Sequence, residues 1–322
     1  ALCLHPRAGL LMPYGGDEWF ELIRRVCLRA MELDLKIWLY DEDPYPSGHA
    51  GGRIVAEHPE LAARGIKRFD FDPHAQGDPT LFCFPAGNLV WCGLIDEETG
   101  EFRDLTSRVG MLRRRWDIYE NWDSRFFYPD TPLYHSPRAE TMGIEYAVTV
   151  PVIPPGMTLT ALVAQQAAFS AWSPYADFID TLNPVSARLF LESTHEQYRQ
   201  AVGDLFGNGI EAIFTDEPKF FDPNPWTPGL FEDFTLEHGY DIRPYLHYLF
   251  SDQMSERACL TRLHYRYFVG ARFRQSWLHP VASWCRDHQL QLVGHISPED
   301  DLVEQAMCLT NLLPLMKEFD LC

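Results

Sequence analysis

The chain contains 322 residues, of which 46% are hydrophobic and 14% are aromatic. This length suits either one large α/β barrel with an insertion or two domains of ordinary size. The formal net charge of −19 repels polyphosphates and anionic lipid surfaces, so neither nucleic acid nor a membrane is an expected partner. The many Trp, Phe and Tyr residues suit a carbohydrate ligand, although for any single ring a place in the core is the better expectation.

The eight cysteines lack the close spacing that is typical of zinc sites or of a disulfide framework. Cys27 and Cys285 lie within apolar helical patterns, as buried reduced thiols commonly do. No apolar stretch approaches the roughly 18 residues of a membrane span. We therefore expect a protein of a reducing compartment, the cytoplasm. No cofactor is expected, although a Ca²⁺ ion held by carboxylates is compatible with this composition.

The first 65 residues alternate between strand and helix patterns. A short apolar run at 2–5 is followed by a helix for which Asp17 is the predicted N-cap. Residues 35–40 read as a buried strand, which a turn-rich loop follows. This order predicts two βα units with parallel strands for residues 1–65.

Residues 66–158 have a different character. Short β-prone segments, bounded by Gly, Pro, Asn and Asp, replace the helical pattern. The segment Glu97-Glu98-Thr99-Gly100 is typical of a hairpin turn. We interpret this region as an inserted β-rich subdomain.

The α/β pattern resumes in residues 159–322. Strands are predicted at about 175–180, 210–214 and 290–296. Asn183 and Pro184 open a helix, and Pro280 predicts a break in a helical pattern over 260–288. A final amphipathic helix is predicted over about 301–317.

Polar side chains follow the predicted parallel strands. In α/β barrels, the carboxyl ends of the strands and the loops after them build the active site. The polar residues at the four strand ends are His5 with Arg7, Asp41 with Asp43, Asp216 with Glu217, and His295 with Glu299. A single acidic strand end would mean little, but its recurrence at successive strands favours a catalytic site.

Glu217 is the leading candidate for a catalytic carboxylate. An apolar strand delivers Asp216 and Glu217 immediately before Pro218, and neighbouring phenylalanines suggest the apolar setting that suits a general acid. Because side chains alternate along a strand, Asp216 and Glu217 should point in opposite directions, so only one is expected to face the site. An ion pair remains an alternative role for Asp216.

Further residues are candidates for substrate binding, because they lie at strand ends or offer a ring that could stack on a sugar. They are Arg7, Asp41, Asp43, Asp216, Trp226, His295 and Glu299. Asp41 and Asp43 share one face of their strand. They could contact the substrate, or they could support the loop, with one acid bound to the Ser47-Gly48 turn and another paired with a basic residue such as Arg7. His295 could bind a sugar hydroxyl, carry a proton or be a buried core histidine.

Several motifs occur in order along the chain outside the β-rich region. They are His5-Pro6-Arg7-Ala8-Gly9-Leu10, Trp38-Leu39-Tyr40-Asp41-Glu42-Asp43 with Pro46-Ser47-Gly48 and Ala50-Gly51-Gly52, Asp180-Thr181-Leu182-Asn183-Pro184, Thr215-Asp216-Glu217-Pro218, and Gly294-His295. Together they resemble a bacterial group of glycoside hydrolases related to the clan-A TIM-barrel enzymes. Members of that group are often labelled α-L-rhamnosidase-like or β-galactosidase-like.

The resemblance implies a (β/α)8 TIM barrel in which the acid/base carboxylate follows the fourth strand. The predicted strands place Glu217 after the fourth. The resemblance also implies a nucleophilic carboxylate after the seventh strand, whereas this chain shows about five strands and the start of a sixth. We therefore expect an incomplete barrel, in a piece of a longer enzyme. Glu299 or Asp43 could supply the second carboxyl group only in an unusual arrangement.

Two alternatives to a glycosidase of carbohydrate metabolism stay open. One is a metal-dependent hydrolase on the same barrel, with His5, Asp43, Glu217 and His295 as ligands, although the sequence has no HExxH motif. The other is a non-catalytic carbohydrate-binding remnant, which the expected absence of the nucleophile makes plausible.

Overall fold

The computed structural model describes residues 1–6, 9–43, 45–71, 80–117, 140–167 and 178–321. Arg7 and residues 175–177 of the third predicted strand lie outside the described residues. Within the described ranges, no helix is both long enough and apolar enough to cross a membrane.

Strands and helices are both numbered in chain order. The strands are β1 (Leu2–Leu4), β2 (Ile37–Tyr40), β3 (Arg64–Phe71), β4 (Thr80–Pro85), β5 (Asn88–Ile95), β6 (Phe102–Asp104), β7 (Gly110–Asp117), β8 (Glu140–Val150), β9 (Thr158–Gln166), β10 (Ile210–Asp216), β11 (Pro225–Trp226) and β12 (Gln291–His295). The α-helices are α1 (Asp17–Glu32), α2 (Arg53–Glu57), α3 (Pro184–Ser193), α4 (His195–Val202), α5 (Leu230–His238), α6 (Glu256–Phe273), α7 (His279–Asp287), α8 (Leu302–Cys308) and α9 (Leu312–Met316). A longer 3₁₀ segment spans Arg243–Phe250.

The chain divides into two compact units, one of residues 1–65 with 166–322 and the other of residues 66–165. The second boundary differs from the predicted one at 158. Residues 158–166 form strand β9, which pairs with β5 inside the β-rich unit. A turn precedes β9, since Met157 N donates to the carbonyl of Pro154, and this turn lies within the β-rich unit.

The larger unit contains a parallel sheet in the order β1-β2-β10-β12. Strand β10 is central: Phe214 is paired with Tyr40 on β2, and Asp216 is paired with His295 on β12. All pairings in this sheet are parallel. The carboxyl ends of β2, β10 and β12 therefore meet at one edge. The unit is a mixed α/β structure, and its described strands do not form a clear eight-stranded barrel.

The prediction of a third barrel strand at about 175–180 is wrong for residues 178–180, which the structure describes. Ile179 makes an isolated antiparallel bridge with Ala62 instead of joining the parallel sheet. Strand β2 is hydrogen-bonded directly to β10, so no strand lies between them. Glu217 therefore follows the third strand of this sheet and not the fourth. The backbone next to Ile179 is hydrogen-bonded to a different segment, because Asp180 N donates to the carbonyl of Leu61.

The helices follow the predicted apolar faces but differ at their ends. Helix α1 buries Trp19, Ile23, Cys27 and Ala30, as the spacing predicts. Its N-cap is Gly16, and Asp17 is the first helical residue and not the cap.

Helix α3 begins as predicted. Asn183 caps it by accepting a hydrogen bond from Val185 N, and Pro184 is its first residue. The predicted break near Pro280 takes the form of a π-helical turn, Arg274–Leu278, between α6 and α7. The final helical region is split into α8 and α9.

In the β-rich unit, β5 pairs antiparallel with β6 and β9, and β8 pairs antiparallel with β4 and β7. Strands β3, β9, β5 and β6 are neighbours in one sheet, and β4, β8 and β7 form another. Their buried side chains form one cluster that includes Phe82, Phe84, Leu94 and Val163. The predicted turn after β5 is confirmed, because Asp96 N donates to Glu101 O and Gly100 N donates to Asp96 O.

Candidate active site

Asp216, Glu217 and His295 meet where β10 and β12 end. Asp216 Oδ1 lies 2.8 Å from His295 Nε2, and Tyr40 donates its phenol proton to Asp216 Oδ2 at 2.6 Å. Burial, and then the contact with Asp216, raise the pKa of the Tyr40 phenol, so this group acts as a donor. One ligand atom from each of Asp216, Glu217 and His295 lies within 4.8 Å of the other two.

The backbone turns sharply at Glu217. Its φ angle is +49°, in the left-handed region that residues other than glycine rarely adopt. Its N–H donates to the carbonyl of His295 at 3.1 Å, which ties the turn to the end of β12. Because the strand ends here, the alternation of side chains also ends. The prediction that Asp216 and Glu217 point in opposite directions is therefore wrong, since both carboxylates reach the same cluster.

Gly294 permits the close approach of β10 and β12. Its φ angle is +145°, and a Cβ atom at this position would lie 2.0 Å from the carbonyl oxygen of Thr215. Only glycine fits such a contact without a shift of the backbone. The position of His295 therefore depends on the glycine before it.

The Glu217 carboxylate lies in a polar setting. The Tyr45 hydroxyl donates to Glu217 Oε2, and Lys219 Nζ lies 3.6 Å from the same oxygen. The phenylalanines expected around Glu217 contact other rings: Phe220 packs edge-on against Phe273, and Phe221 stacks on Phe178 at 3.7 Å. The side chain of Glu217 is 16% exposed, so solvent or a ligand can reach it.

Ser47 joins the loop after β2 to the end of β10. Its N–H donates to Asp216 O at 2.8 Å, and its Oγ accepts a hydrogen bond from Asp216 N at 2.7 Å. The same hydroxyl donates to Asp41 Oδ1 at 2.6 Å. Asp41 has no exposed surface. The geometry therefore favours loop support over substrate contact for Asp41.

Glu42 organises the loop from inside. This fully buried side chain accepts backbone hydrogen bonds from Asp43, Gly48, Ala50 and Gly51. Burial raises the pKa of Glu42 to about 8, against the opposite effect of these donors. Burial also raises the pKa of Asp41 to about 7, while hydrogen bonds from Ser47 and Thr215 oppose that rise.

His295 lies between two carboxylates. Its Nε2 faces Asp216, and its Nδ1 lies 3.4 Å from Glu299 Oε1. A protonated imidazole would donate to both. The side chain of Glu299 is about half exposed, at 49%, so this chain of polar groups runs from the buried Asp216 to solvent. The alternative of a buried core histidine does not fit His295, whose own side chain is 38% exposed.

The remaining candidates have separate surroundings. Asp43 is half-buried, and burial raises its pKa. His5 packs against the ring of Tyr40, with 3.5 Å between centroids. Trp226 lies in β11 opposite Arg64, whose guanidinium is 6.0 Å from the indole ring. Neither of these contacts involves Asp216, Glu217 or His295.

The motif at Asp180 has a structural role. Asp180 is buried and accepts hydrogen bonds from Thr227 Oγ1 at 2.6 Å and from Leu182 N at 3.1 Å. Burial raises its pKa to about 6, and the hydrogen bond from Thr227 opposes that rise. These contacts hold the segment before α3 against the segment after β11.

Sequence reasoning missed the residues that hold the catalytic candidates in place. These are Tyr40 and Lys219, together with Tyr45 as a partner of Glu217. The alternative that an acid after β2 supports the Ser47-Gly48 turn is confirmed, because Asp41 accepts a hydrogen bond from Ser47 Oγ and Glu42 accepts one from Gly48 N. The signal for Glu42 was present, because a buried acid before a glycine-rich turn can accept the exposed N–H groups of that turn. Lys219 carried no comparable signal, since a lysine three residues beyond a strand end is usually solvated.

Comparisons with known proteins support the fold. No family model and no curated protein matches the chain. Its structure is similar to that of a rhamnosidase from Novosphingobium sp. PP1Y, with a TM-score of 0.52, 12% sequence identity and coverage of 96% of this chain and 43% of that chain. The chain therefore spans less than half of that protein. At this identity the similarity shows the fold alone.

Proposed function

We propose that this chain forms part of a glycoside hydrolase in which Glu217 is the general acid/base. The observation that carries the proposal is the meeting of Asp216, Glu217 and His295 at the carboxyl edge of a parallel sheet. The left-handed backbone at Glu217 adds support, because residues held in such conformations are concentrated at functional sites. The rhamnosidase with a similar fold adds distant support.

In the proposed reaction, the protonated Glu217 donates to the glycosidic oxygen as the bond from that oxygen to the anomeric carbon breaks. The anomeric carbon forms a new bond either to the second catalytic carboxylate or to a water molecule that this carboxylate activates. The leaving alcohol takes the proton, and Glu217 is left as a carboxylate next to the Tyr45 hydroxyl and the Lys219 ammonium. His295 and Glu299 are accessible donors and acceptors for sugar hydroxyls. Asp216 acts indirectly, because it holds the His295 ring through Nε2.

The parallel sheet is proposed to be part of a larger barrel. Its four strands pair in the order and direction that one side of a (β/α)8 barrel requires, although the predicted strand between β2 and β10 is not there. The second catalytic carboxylate is proposed to come from a part of the enzyme beyond this chain. We likewise propose that the whole protein cleaves oligosaccharides or polysaccharides, that it is bacterial and that it is located in the cytoplasm.

The test is a panel of aryl glycosides assayed with the full-length protein and two variants. Glu217→Gln removes the acid, and we expect turnover on the responsive glycoside to fall by about 10²- to 10⁴-fold. Glu211→Gln is the matched control, because Glu211 lies on the same strand and pairs with Lys36 on the surface. Equal turnover of Glu217→Gln and Glu211→Gln would remove Glu217 from the mechanism. Binding without hydrolysis of any glycoside would favour the carbohydrate-binding remnant.

A metal-dependent hydrolase is the second candidate, because ligand atoms of Asp216, Glu217 and His295 lie within 4.8 Å of one another. Two carboxylates and one imidazole suit several divalent cations. Of the predicted ligands His5, Asp43, Glu217 and His295, this group contains only Glu217 and His295. Metal analysis of the purified protein, followed by an assay after chelation and after return of each metal, distinguishes this candidate. Activity that survives chelation would exclude it.

A further inference from the structure

We propose that Tyr45 is a positioning residue that determines which oxygen of Glu217 carries the catalytic proton, an inference that rests on the proposed function. The Tyr45 hydroxyl and Lys219 Nζ both contact Oε2 of Glu217. Within the described residues, no hydrogen bond or ion pair involves the other oxygen, Oε1. The two oxygens of this carboxyl group therefore have different surroundings.

The difference assigns the proton to Oε1. The Lys219 ammonium can only donate, so Oε2 acts as an acceptor, and the Tyr45 hydroxyl, which can donate or accept, donates to it as well. A neutral carboxyl group has one acceptor carbonyl oxygen and one O–H, and the donors fix Oε2 as the carbonyl oxygen. The proton then resides on Oε1, the oxygen that remains available to a glycosidic oxygen. After transfer, the negative charge that develops on the carboxylate is adjacent to both donors.

The loop after β2 is built to hold Tyr45 in this position. Ser47, two residues after Tyr45, exchanges two hydrogen bonds with Asp216, the residue before Glu217. The Glu42 carboxylate accepts hydrogen bonds from the N–H group of Asp43, before Tyr45, and from those of Gly48 and Ala50, after it. Tyr45 and Glu217 are therefore brought together by backbone contacts next to each of them, and their meeting does not depend on the two side chains alone.

A double-mutant cycle tests the proposal on the full-length protein. Tyr45→Phe keeps the ring and removes the donor, and we expect kcat on a phenyl glycoside to fall by about 10-fold with little change in KM. In a Glu217→Gln background, the same substitution should change kcat by less than about 2-fold, because Tyr45 acts through Glu217. Tyr240→Phe is the matched control, since the Tyr240 hydroxyl contacts His264 in the same unit.

The outcomes separate this proposal from the proposed function. If Glu217→Gln does not lower kcat, the proposed function fails, and the inference fails with it. If Glu217→Gln lowers kcat but Tyr45→Phe lowers it equally in both backgrounds, Tyr45 acts independently of Glu217 and only the inference is overturned. An unchanged kcat in Tyr45→Phe also overturns the inference. Lys219→Met, which removes the second donor to Oε2, should likewise lose its effect in the Glu217→Gln background.

Discussion

Ser47 and Asp216 exchange two hydrogen bonds across the site, one from Ser47 N to Asp216 O at 2.8 Å and one from Asp216 N to Ser47 Oγ at 2.7 Å. This pairing extends the contacts between β2 and β10 beyond the ends of the strands. It joins the loop that carries Tyr45 to the turn that carries Glu217. Two loops that are 169 residues apart in the sequence therefore form one structural unit.

Ser47→Ala should both destabilise the fold and lower activity. The substitution leaves the buried N–H of Asp216 and the buried carboxyl group of Asp41 without the Ser47 hydroxyl, at a cost of about 1–3 kcal/mol in the free energy of unfolding. Urea denaturation measures this change. Ser283→Ala is the control, because the Ser283 hydroxyl lies near His279 on α7, away from these contacts. Equal stability of the two variants would show that the Ser47 hydroxyl is not needed.

Gly294→Ala should displace the end of β12. The new methyl group would lie 2.0 Å from Thr215 O, and the φ angle of +145° is itself strained for alanine. Gly239→Ala separates these two effects, since Gly239 has a φ angle of +77° and open space around its Cβ position. We expect Gly294→Ala to lower the melting temperature more than Gly239→Ala does, and to lower turnover. A smaller loss of melting temperature for Gly294→Ala than for Gly239→Ala would contradict the role given to Gly294.

The buried acids of the loop predict that the fold loses stability as the pH rises from about 5 to 8. Burial raises the pKa of Asp41 from 3.8 to about 7, so the folded chain holds this proton more tightly than the unfolded chain. The stabilisation is complete below the unfolded pKa and is lost as the pH rises through the folded one. Glu42, with a pKa raised to about 8, acts in the same direction.

Melting temperatures at pH 5.5 and pH 8 test this prediction in buffers of equal ionic strength. We expect the value at pH 8 to be lower by at least about 2 °C. Asp41→Asn keeps an acceptor for Ser47 but cannot ionise, so it should reduce the difference between the two pH values. Asp43→Asn serves as the comparison, because Asp43 is only half-buried. A difference that Asp41→Asn leaves unchanged would show that Asp41 is not its source.

The sequence predicted the parts of the fold that depend on local pattern. Apolar spacing predicted helix α1, and the Asn183-Pro184 signal predicted the start of α3. Strands β2, β10 and β12 lie within or close to their predicted ranges. These elements follow from contacts between residues that are near in sequence, so a periodic pattern is enough to find them.

The arrangement of the site depends on contacts that no local pattern encodes. The direct pairing of β2 with β10 is a tertiary choice, and it overturned the predicted strand count. The left-handed turn at Glu217 overturned the expectation from side-chain alternation. No local pattern indicated the role of Tyr45 either: its ring would suit stacking on a sugar, but its hydroxyl donates to Glu217.

If Glu217 is a general acid, the loss of kcat/KM caused by Glu217→Gln depends on how much protonation the leaving group needs. The measurement is kcat/KM of the unmodified full-length protein and of Glu217→Gln on a phenyl glycoside and on the matching dinitrophenyl glycoside, whose leaving group needs little protonation. For a general acid at position 217, we expect a loss of about 10²-fold or more on the phenyl substrate and a much smaller loss on the dinitrophenyl substrate. An equal loss on both substrates, or no loss on either, would contradict this role of Glu217.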